Sequence, residues 1–459
     1  MLKFIKKKNT VKYIFAFFLA IATIFASIPA CVSVYGAASA DLPDFPELVS
    51  QYVVLMDADS GEVLYSSNAN EKCYPASTTK LMTALVTMEN LSFNDTITYS
   101  ERAVNSITYG DANASISVGE ELTMEQSLYC LILRSANDVA YGLAENVAGS
   151  VSEFADMMNK KAEALGCSGT HFTNASGLSD TFHYTTPYDM ALIARACFDN
   201  KSLMKIISYS DMYIIGPTNT SSFTRYYTHR YQMLENGEYA YPYSMGGKTG
   251  YTDAAGSCLV SFAQKDDLRL ICVIMNSTDE GRYTDTAALF DYYFDNYKKL
   301  FLSEINSSLP ENDTELLTLT DELDSSNTLN LKINSEKYLL VPNKVKADEL
   351  STLVTYSNDP AYAGDEGGFA CISYYYKTAY MGKSTVYMES SSDTDSLPGI
   401  DGVPAASMPH TEEKEELIYI NIWYVLIGTG VLLALIILIL ILVKVHRPSP
   451  GYNTKKLRF

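Results

Sequence analysis

A serine and a lysine stand three positions apart, as Ser77 and Lys80, in the segment PASTTKLMTALV of residues 75–86. At this spacing a hydroxyl and an amine lie about one turn apart on the same face of a helix. A neutral amine in that position can take the proton of the hydroxyl and turn it into a nucleophile. The same pair is also compatible with a helix cap followed by a solvated lysine. The rest of the chain has to decide between these two interpretations.

Further candidates for this chemistry lie downstream. A lysine acts as a base only when it is neutral, which requires burial and a second cation nearby. Lys248 in GGKTGYT, residues 246–252, is the candidate cation, and the glycines around it would let strand backbone approach a ligand closely. The segment RSAND, residues 134–138, adds a hydroxyl at Ser135 and an amide at Asn137.

Other kinds of catalytic centre are less consistent with the sequence. None of the five histidines stands in a metal-binding pattern, so we expect neither a metal nor another cofactor. Cys73 is an alternative nucleophile four residues before Ser77, but no histidine lies beside it in sequence to activate it. The seven cysteines after residue 40 occur singly, which predicts mostly buried, reduced thiols.

The two ends of the chain predict export and membrane attachment. Lysines, an apolar run and a small-x-small site make residues 1–40 a secretory signal peptide, although Cys31 leaves a lipoprotein site as an alternative. Residues 418–443 are apolar over a length that crosses a bilayer as a helix, and the basic tail 444–459 predicts a cytoplasmic C-terminus. The catalytic part should then lie outside the cytoplasm of a bacterial cell, on a single-pass membrane protein.

The part between these ends is strongly acidic. The whole chain has 54 acidic and 34 basic side chains and a formal net charge of −20. Because several of the cations lie in the two ends, the region between them is more acidic still, and such a surface would repel nucleic acid. Residues 391–417 combine acids, serines and prolines and are predicted to be a solvated linker.

Hydrophobic periodicity predicts an α+β fold. Residues 52–67 read as a hairpin of two short strands. The spacing Asp57-x-Asp59-x-Gly61 within it is similar to that of a calcium loop, but the other residues that such a loop requires are missing. Helices follow, with caps at Thr123 and Ser150, then strands from residue 246 and a helix that should end near Phe301. We expect one antiparallel sheet covered by helices over residues 41–301, and a small all-β domain over residues 305–390.

Taken together, these segments resemble a known family. Ser77-x-x-Lys80, Ser135-x-Asn137 and Lys248-Thr249-Gly250 look like the three motifs of penicillin-binding proteins and serine β-lactamases. The strings MDADSGEVLYSSNAN, LILRSANDVAYGLAE, FTNASGLSD and GGKTGYTDAAGSCLVSFAQ are similar to the low-molecular-weight serine D-alanyl-D-alanine carboxypeptidases. The similarity runs from about residue 48 to 300, and the β-rich domain after it fits the C-terminal domain of that family.

The resemblance implies a role for each motif. Ser77 would attack the carbonyl between the two terminal D-alanines of a peptidoglycan stem peptide, and Lys80 would take its proton. Ser135 would relay a proton to the leaving amine, and Asn137 would bind substrate and orient Lys80. β-Lactams would acylate Ser77 as covalent inhibitors.

It also implies how the substrate is held. Lys248 and Thr249 would bind the terminal carboxylate next to Gly250, with Arg282 of the segment GRYTD as a further candidate. The backbone N–H groups of Ser77 and Tyr251 would form the oxyanion hole. The family often has an asparagine-rich stretch where this chain reads THRYQML, which leaves the outer substrate contacts open.

Three other functions are alternatives to this one. A class A β-lactamase would need an E-x-x-L-N string, which is missing between the second and third motifs. A transpeptidase or endopeptidase could use the same site on the same substrate class. A wall-binding or β-lactam-sensing protein without activity would have no reason to keep Ser77, Lys80 and Lys248. The sequence does not indicate the oligomeric state.

Overall fold

The computed structural model describes residues 44–108, 110–306, 330–333, 337–359, 361–365 and 367–389. The elements are numbered in chain order. The strands are β1 Tyr52–Asp57, β2 Val63–Ser67, β3 Thr96–Thr98, β4 Glu121–Thr123, β5 Tyr213–Ile215, β6 Arg225–Tyr227, β7 Ser244–Thr252, β8 Gly256–Lys265, β9 Leu268–Ser277, β10 Tyr297–Phe301, β11 Asn330–Ile333, β12 Tyr338–Pro342, β13 Leu350–Tyr356, β14 Ala370–Tyr376 and β15 Ala379–Glu389. The helices are α1 Lys80–Asn90, α2 Glu101–Asn105, α3 Met124–Leu133, α4 Asn137–Ala148, α5 Val151–Ala164, α6 Pro187–Asp199, α7 Lys201–Ile207, α8 Gly281–Asn296 and α9 Leu302–Asn306.

The central sheet joins segments from both ends of the catalytic region. Its five strands have the order β2-β1-β9-β8-β7, and all its pairs are antiparallel. β1 and β2 form the predicted hairpin, and β1 then pairs with β9, so that Val54 lies opposite Val273. This confirms the predicted α+β fold with an antiparallel sheet. β7, which carries the third motif, is the last strand of the sheet.

Helices cover both faces of this sheet. Alternate residues of β1 face opposite ways, so Val54 and Met56 join one hydrophobic cluster while Val53 and Leu55 join another. The first cluster packs the sheet against α1 and the helices α3–α7, and the second packs it against α8. Because both faces are buried, the three inner strands β1, β9 and β8 are mostly apolar along their length.

Two predicted helix caps are confirmed. The Oγ1 of Thr123 accepts from the N–H of Gln126, and the Gln126 side chain accepts from the N–H of Thr123, which closes a capping box at the start of α3. The Oγ of Ser150 accepts from the N–H of Glu153 at the start of α5. These local bonds fix where the two helices begin, and α3 ends directly before the second motif.

The helix predicted to end near Phe301 is shorter than expected. α8 ends at Asn296, not near Phe301, and residues Tyr297–Phe301 form the strand β10. β10 pairs antiparallel with β12, so that Leu300 lies opposite Leu339, and both residues are buried in a third hydrophobic cluster. The partner strand lies far downstream in the sequence, which is why local periodicity suggested that the helix continued.

The described C-terminal residues form β structure. β11, β15, β14 and β13 make a four-stranded antiparallel sheet in that order, with a core that includes Ile372, Tyr374 and Val386. This agrees with the expectation of a small β-rich region after the catalytic part. The exact domain limits stay a prediction.

The predicted signal peptide, linker, membrane span and basic tail lie outside the described residues. Within the ranges that the structure covers, we find no helix with both the length and the apolar character needed to span a bilayer.

Candidate active site

The candidate nucleophile stands in a tight turn at the entrance to α1. Residues Ala76–Thr79 form a short 3-10 helix, and Lys80 is the first residue of α1. Ala76 has a φ of +48°, a conformation that costs energy in a residue with a side chain and is typical of functional turns. Ser77 is half-buried and lines a cleft of about 840 Å³.

Lys80 is fully buried beneath this serine. Its Nζ lies 2.9 Å from the Oγ of Ser77, 2.7 Å from Oδ1 of Asn137 and 2.6 Å from the backbone oxygen of Ser176. The two carbonyl oxygens can only accept hydrogen bonds, whereas the serine hydroxyl can also donate. A neutral amine has two N–H groups and one lone pair. The three contacts therefore match a neutral Lys80 that donates to the carbonyls and accepts from Ser77.

The surroundings favour this neutral form. Burial lowers the pKa of Lys80 to about 7, and the charge of Arg230 contributes to this lowering, while Asp138 and Asp111 oppose the shift. At neutral pH a substantial fraction of the amine is therefore unprotonated. This is the condition under which a lysine serves as a general base.

The structure places a second cation, Arg230, near Lys80 in addition to Lys248, the cation predicted from sequence. The charge of Arg230 lowers the pKa of Lys80, and the like charges of Lys80 and Lys248 disfavour each other. Lys248 is itself buried, and burial lowers its pKa well below the ordinary value, with the charges of Lys80 and Arg230 contributing. A buried lysine whose own charge is disfavoured makes a weak source of positive charge, whereas an arginine stays protonated. Arg230 belongs to the segment THRYQML, so the sequence did not identify its role.

The second motif joins two helices by a strained residue. α3 ends at Leu133, α4 begins at Asn137, and Ser135 between them has a φ of +60°. This turn directs the Oγ of Ser135 to within 2.9 Å of the Nζ of Lys248. The side chain of Asn137 reaches Lys80, so the segment contacts both lysines.

The third motif lies on the edge strand β7. The Nζ of Lys248 also donates to the backbone oxygen of Thr249, at 2.8 Å. An added Cβ at Gly250 would lie 3.0 Å from the oxygen of Pro75 and 3.2 Å from the nitrogen of Ser77. The absence of a side chain at Gly250 therefore lets the strand lie close to the turn that carries the nucleophile. Thr249 and the 63% exposed Tyr251 line the same cleft.

Arg282 approaches this strand from α8. Its Nη1 donates to the backbone oxygen of Gly250 at 3.3 Å, and its Nη2 forms an ion pair with Asp279. The residue is 9% exposed, lines the cleft, and has an Nε without an acceptor among the described residues. The structure therefore brings every predicted site residue to one cleft or to its wall.

The backbone oxygen of Ser176 is a contact that the sequence did not predict. The Oδ1 of Asn174 accepts from the N–H groups of Ser176 and Gly177, at 3.1 and 2.8 Å, and so holds the turn that presents this oxygen to Lys80. The turn lies within the string FTNASGLSD, which the sequence distinguishes only by its resemblance to the family. A backbone acceptor has no residue-type signature.

Neither of the histidines near the cleft is free to act as the base. His229 Nδ1 accepts from the N–H of Tyr231 at 3.0 Å, and Nε2 lies 3.1 Å from the oxygen of Ile207. His183 contacts Thr173 and Thr79 with its two nitrogens. Burial lowers their pKa to about 3 and about 4, so both are neutral. With both ring nitrogens engaged, neither competes with Lys80.

The alternative thiol nucleophile is not activated. Burial, the largest cause, raises the pKa of Cys73 far above its usual value, so that it stays protonated at neutral pH. The seven described cysteines are all unpaired, and six of them are buried, as the sequence predicted.

Comparisons with known proteins agree with this geometry. Residues 38–279 match the family model described as D-alanyl-D-alanine carboxypeptidase. The chain is 32% identical over 321 residues to the D-alanyl-D-alanine carboxypeptidase DacF of Bacillus subtilis, covering 66% of this chain and 80% of the relative.

Solved structures show the same similarity. A D-alanyl-D-alanine carboxypeptidase of Mycobacterium tuberculosis is 29% identical with a TM-score of 0.51, covering 56% of this chain and 95% of that one. Penicillin-binding protein 5 of Haemophilus influenzae covers 75% of this chain and 98% of its own, with a TM-score of 0.62. At 23% identity the latter likeness shows the fold alone.

Proposed function

The chain belongs to the D-alanyl-D-alanine carboxypeptidase family, and on this premise we propose that it removes the terminal D-alanine from peptidoglycan stem peptides through an acyl-enzyme. The observation that carries the proposal is the contact, at 2.9 Å, between the hydroxyl of Ser77 and the buried amine of Lys80, whose pKa is lowered to about 7. The proposed enzyme is a serine-type carboxypeptidase, and removal of the terminal residue would limit cross-linking of the wall.

In the first half-reaction Ser77 becomes bonded to the substrate. Lys80 takes the hydroxyl proton as Oγ attacks the carbonyl carbon between the two D-alanines. The tetrahedral oxyanion that forms would be stabilised by the backbone N–H groups of Ser77 and Tyr251. Cleavage of the C–N bond then leaves an ester on Ser77 and releases D-alanine. The nitrogen of D-alanine receives, through the hydroxyl of Ser135, the proton that Lys80 had taken, so Lys80 returns to its neutral form.

In the second half-reaction a water molecule hydrolyses the ester on Ser77. Lys80, neutral again, takes a proton from a water molecule that attacks the ester, and Ser77 recovers its hydroxyl proton when the C–O bond breaks. Asn137 Oδ1 and the Ser176 oxygen hold the amine in place throughout, since both accept from it in either protonation state. A β-lactam would acylate Ser77 by opening of its ring C–N bond, and it would inhibit because the resulting ester is hydrolysed only slowly.

The remaining contacts orient the substrate. Thr249, next to Lys248 on the edge strand, offers a hydroxyl to the terminal carboxylate of the peptide, and Arg282 adds a positive charge behind Gly250. A requirement for a free carboxylate would distinguish a carboxypeptidase from an enzyme that cuts within a peptide. These assignments rest on the shared cleft and on the motifs of the family.

Mass spectrometry of the purified chain with a pentapeptide ending in D-Ala-D-Ala tests the proposal. We expect the loss of a single alanine, and we expect penicillin to prevent it. Adding a D-amino acid separates hydrolysis from transpeptidation, because exchange of the last residue would reveal an amine acceptor. An intact peptide after prolonged incubation, together with no penicillin adduct, would argue for a binding protein without activity.

We further propose that the enzyme works outside the cytoplasm, anchored in the membrane by residues 418–443. The support is the pattern of the sequence: a signal peptide at the start and an apolar segment before a basic tail at the end. In intact cells an added protease should digest the catalytic part and leave an epitope on the tail protected. A protected catalytic part would contradict this orientation.

A further inference from the structure

Two arginines stand side by side in the wall of the cleft. The backbone N–H of Arg230 donates to the oxygen of Leu133 at 3.1 Å, which places it beside Arg134 although the two are far apart in sequence. Both line the same cleft as Ser77 and Ser135. Arg134 directly precedes Ser135, so the pair lies close to the reacting atoms.

Neither guanidinium has a partner among the described residues, whereas every other arginine in those ranges has one. The others donate to carboxylates or to backbone carbonyls, as Arg102, Arg195, Arg225, Arg269 and Arg282. Arg134 and Arg230 instead face each other's charge. Burial and then the charge of Arg134 lower the pKa of Arg230. An anion bound between the two guanidinium groups would accept hydrogen bonds from both and would offset the repulsion between their charges.

We propose that Arg134 and Arg230 bind a second carboxylate of the substrate, carried on the side chain of the residue that precedes the terminal D-Ala-D-Ala. This inference rests on the proposed carboxypeptidase function. The terminal carboxylate has its own contacts at Thr249 and Arg282, so the arginine pair is available for another group. A guanidinium matches the planar carboxylate with paired N–H donors, which a carboxamide of the same shape does not replace.

Neither of the two acids that line the cleft, Asp111 and Asp253, neutralises this pair. Asp253 Oδ1 accepts from the hydroxyl of Tyr251 at 3.2 Å and has no ion pair with either arginine. The carboxylate of Asp111 accepts from the N–H and the Oγ1 of Thr108, at 2.8 and 2.9 Å, and makes no ion pair with either arginine. The positive charge of the two guanidinium groups is therefore available to bind an anionic group of the substrate. A peptide with a neutral side chain at this position gains nothing from them, which makes the pair a determinant of specificity rather than of the chemical step.

Two synthetic peptides test the inference: acetyl-L-Glu-D-Ala-D-Ala and acetyl-L-Gln-D-Ala-D-Ala, which differ only in one side-chain charge. We expect wild-type kcat/KM to be roughly ten-fold higher for the glutamate peptide, the size of one charge-assisted hydrogen bond. Arg134→Gln and Arg230→Gln should each reduce this ratio towards one. Arg134→Lys keeps the positive charge but lacks the paired N–H donors, so it should retain part of the preference for the glutamate peptide.

The ratio of the kcat/KM values for the two peptides separates recognition of the side-chain charge from the chemical step. Arg230 also lowers the pKa of Lys80, so its variant will change both rates, but this effect is common to the two peptides and cancels. Arg102→Gln is the matched control, since that exposed arginine pairs with Glu145 outside the cleft, and its ratio should equal that of wild type. Equal circular dichroism and thermal unfolding of the variants exclude misfolding as the cause.

The outcomes separate this inference from the function on which it rests. Cleavage of both peptides at equal rates by the wild type would overturn the inference and leave the carboxypeptidase function intact. A preference that survives in both glutamine variants would equally overturn it. If neither peptide, nor the pentapeptide described above, lost alanine, the proposed function itself would fall.

Discussion

Gly177 is in backbone contact with Ala76: a Cβ added to this glycine would lie 1.8 Å from the carbonyl oxygen of Ala76. The turn that offers the Ser176 oxygen to Lys80 is therefore pressed against the turn that presents Ser77. Gly177 has a φ of +84°, which glycine adopts without strain. The position of the base thus depends on a contact that only glycine allows.

We predict that Gly177→Ala lowers both stability and acylation. The added methyl must push the two turns apart, and overpacking of this kind costs about 1–3 kcal/mol of the free energy of unfolding. Displacement of Ser176 should also misplace Lys80 and reduce the rate of labelling by a fluorescent penicillin by roughly ten-fold or more, since small misplacements of catalytic groups cost rate steeply. Chemical denaturation and a labelling time course measure the two effects.

Gly119→Ala is the matched control for this variant. Gly119 has a similar φ of +74°, but an added Cβ meets no atom within 4 Å. It should therefore show the backbone strain alone, about 1 kcal/mol, and should label at the wild-type rate. Equal labelling rates for the two alanine variants would show that the contact with Ala76 does not position the base.

The nucleophile and the base can be tested separately by labelling. Ser77→Ala should abolish both penicillin labelling and the release of D-alanine, because among the described residues the hydroxyl of Ser77 is the one in hydrogen-bond contact with the amine of Lys80. Lys80→Arg should also be inactive, since a guanidinium stays protonated at neutral pH and cannot take the proton. A labelled Ser77→Ala protein would assign the nucleophile elsewhere, and normal turnover by Lys80→Arg would assign the base elsewhere.

The sequence predicted the motifs better than the electrostatics that make them work. Ser77, Lys80, Ser135 and Lys248 could be found because each belongs to a short pattern of residue types. The Ser176 oxygen and the cation Arg230 could not, since a backbone carbonyl has no pattern and Arg230 reaches the site through a backbone bond to Leu133. Such contacts depend on how distant segments are folded together.

The same distinction applies to the fold. The caps at Thr123 and Ser150 were predictable because each is a bond over three residues. The strand Tyr297–Phe301 lies where local periodicity predicts helix, since its partner, Tyr338–Pro342, lies far along the chain. Extended pairing of that kind overrides the local preference of the segment.

The pH dependence of acylation should follow the protonation of Lys80. Its amine is neutral above its pKa and protonated below it, so acylation should fall as the pH decreases through about 7. Below this value the rate should drop about ten-fold per pH unit, because the neutral fraction does so. Stopped-flow labelling from about pH 5 to about pH 9, roughly two pH units on either side of the pKa of Lys80, measures the profile.

Arg230→Gln tests the cause of that pKa. Removal of a neighbouring cation makes the protonated amine of Lys80 less unfavourable, so its pKa should rise and the acid limb of the profile should move to higher pH. Arg102→Gln, which removes a distant and ion-paired arginine, should leave the profile unchanged. An acid limb that stays in place, or moves to lower pH, would show that Arg230 does not act on the base.

The predicted linker should matter for the wall and not for the chemistry. The sequence predicts a solvated linker over residues 391–417 between the β-rich region and the membrane span, so a deletion within it, of residues 391–416, should shorten the reach of the catalytic part. Hydrolysis of a soluble pentapeptide should be unchanged, while the release of D-alanine from the wall of intact cells should decrease. Replacing the deleted segment by glycine and serine residues of equal number should restore that release. Loss of activity on the soluble peptide would instead mean that the segment supports the catalytic domain directly.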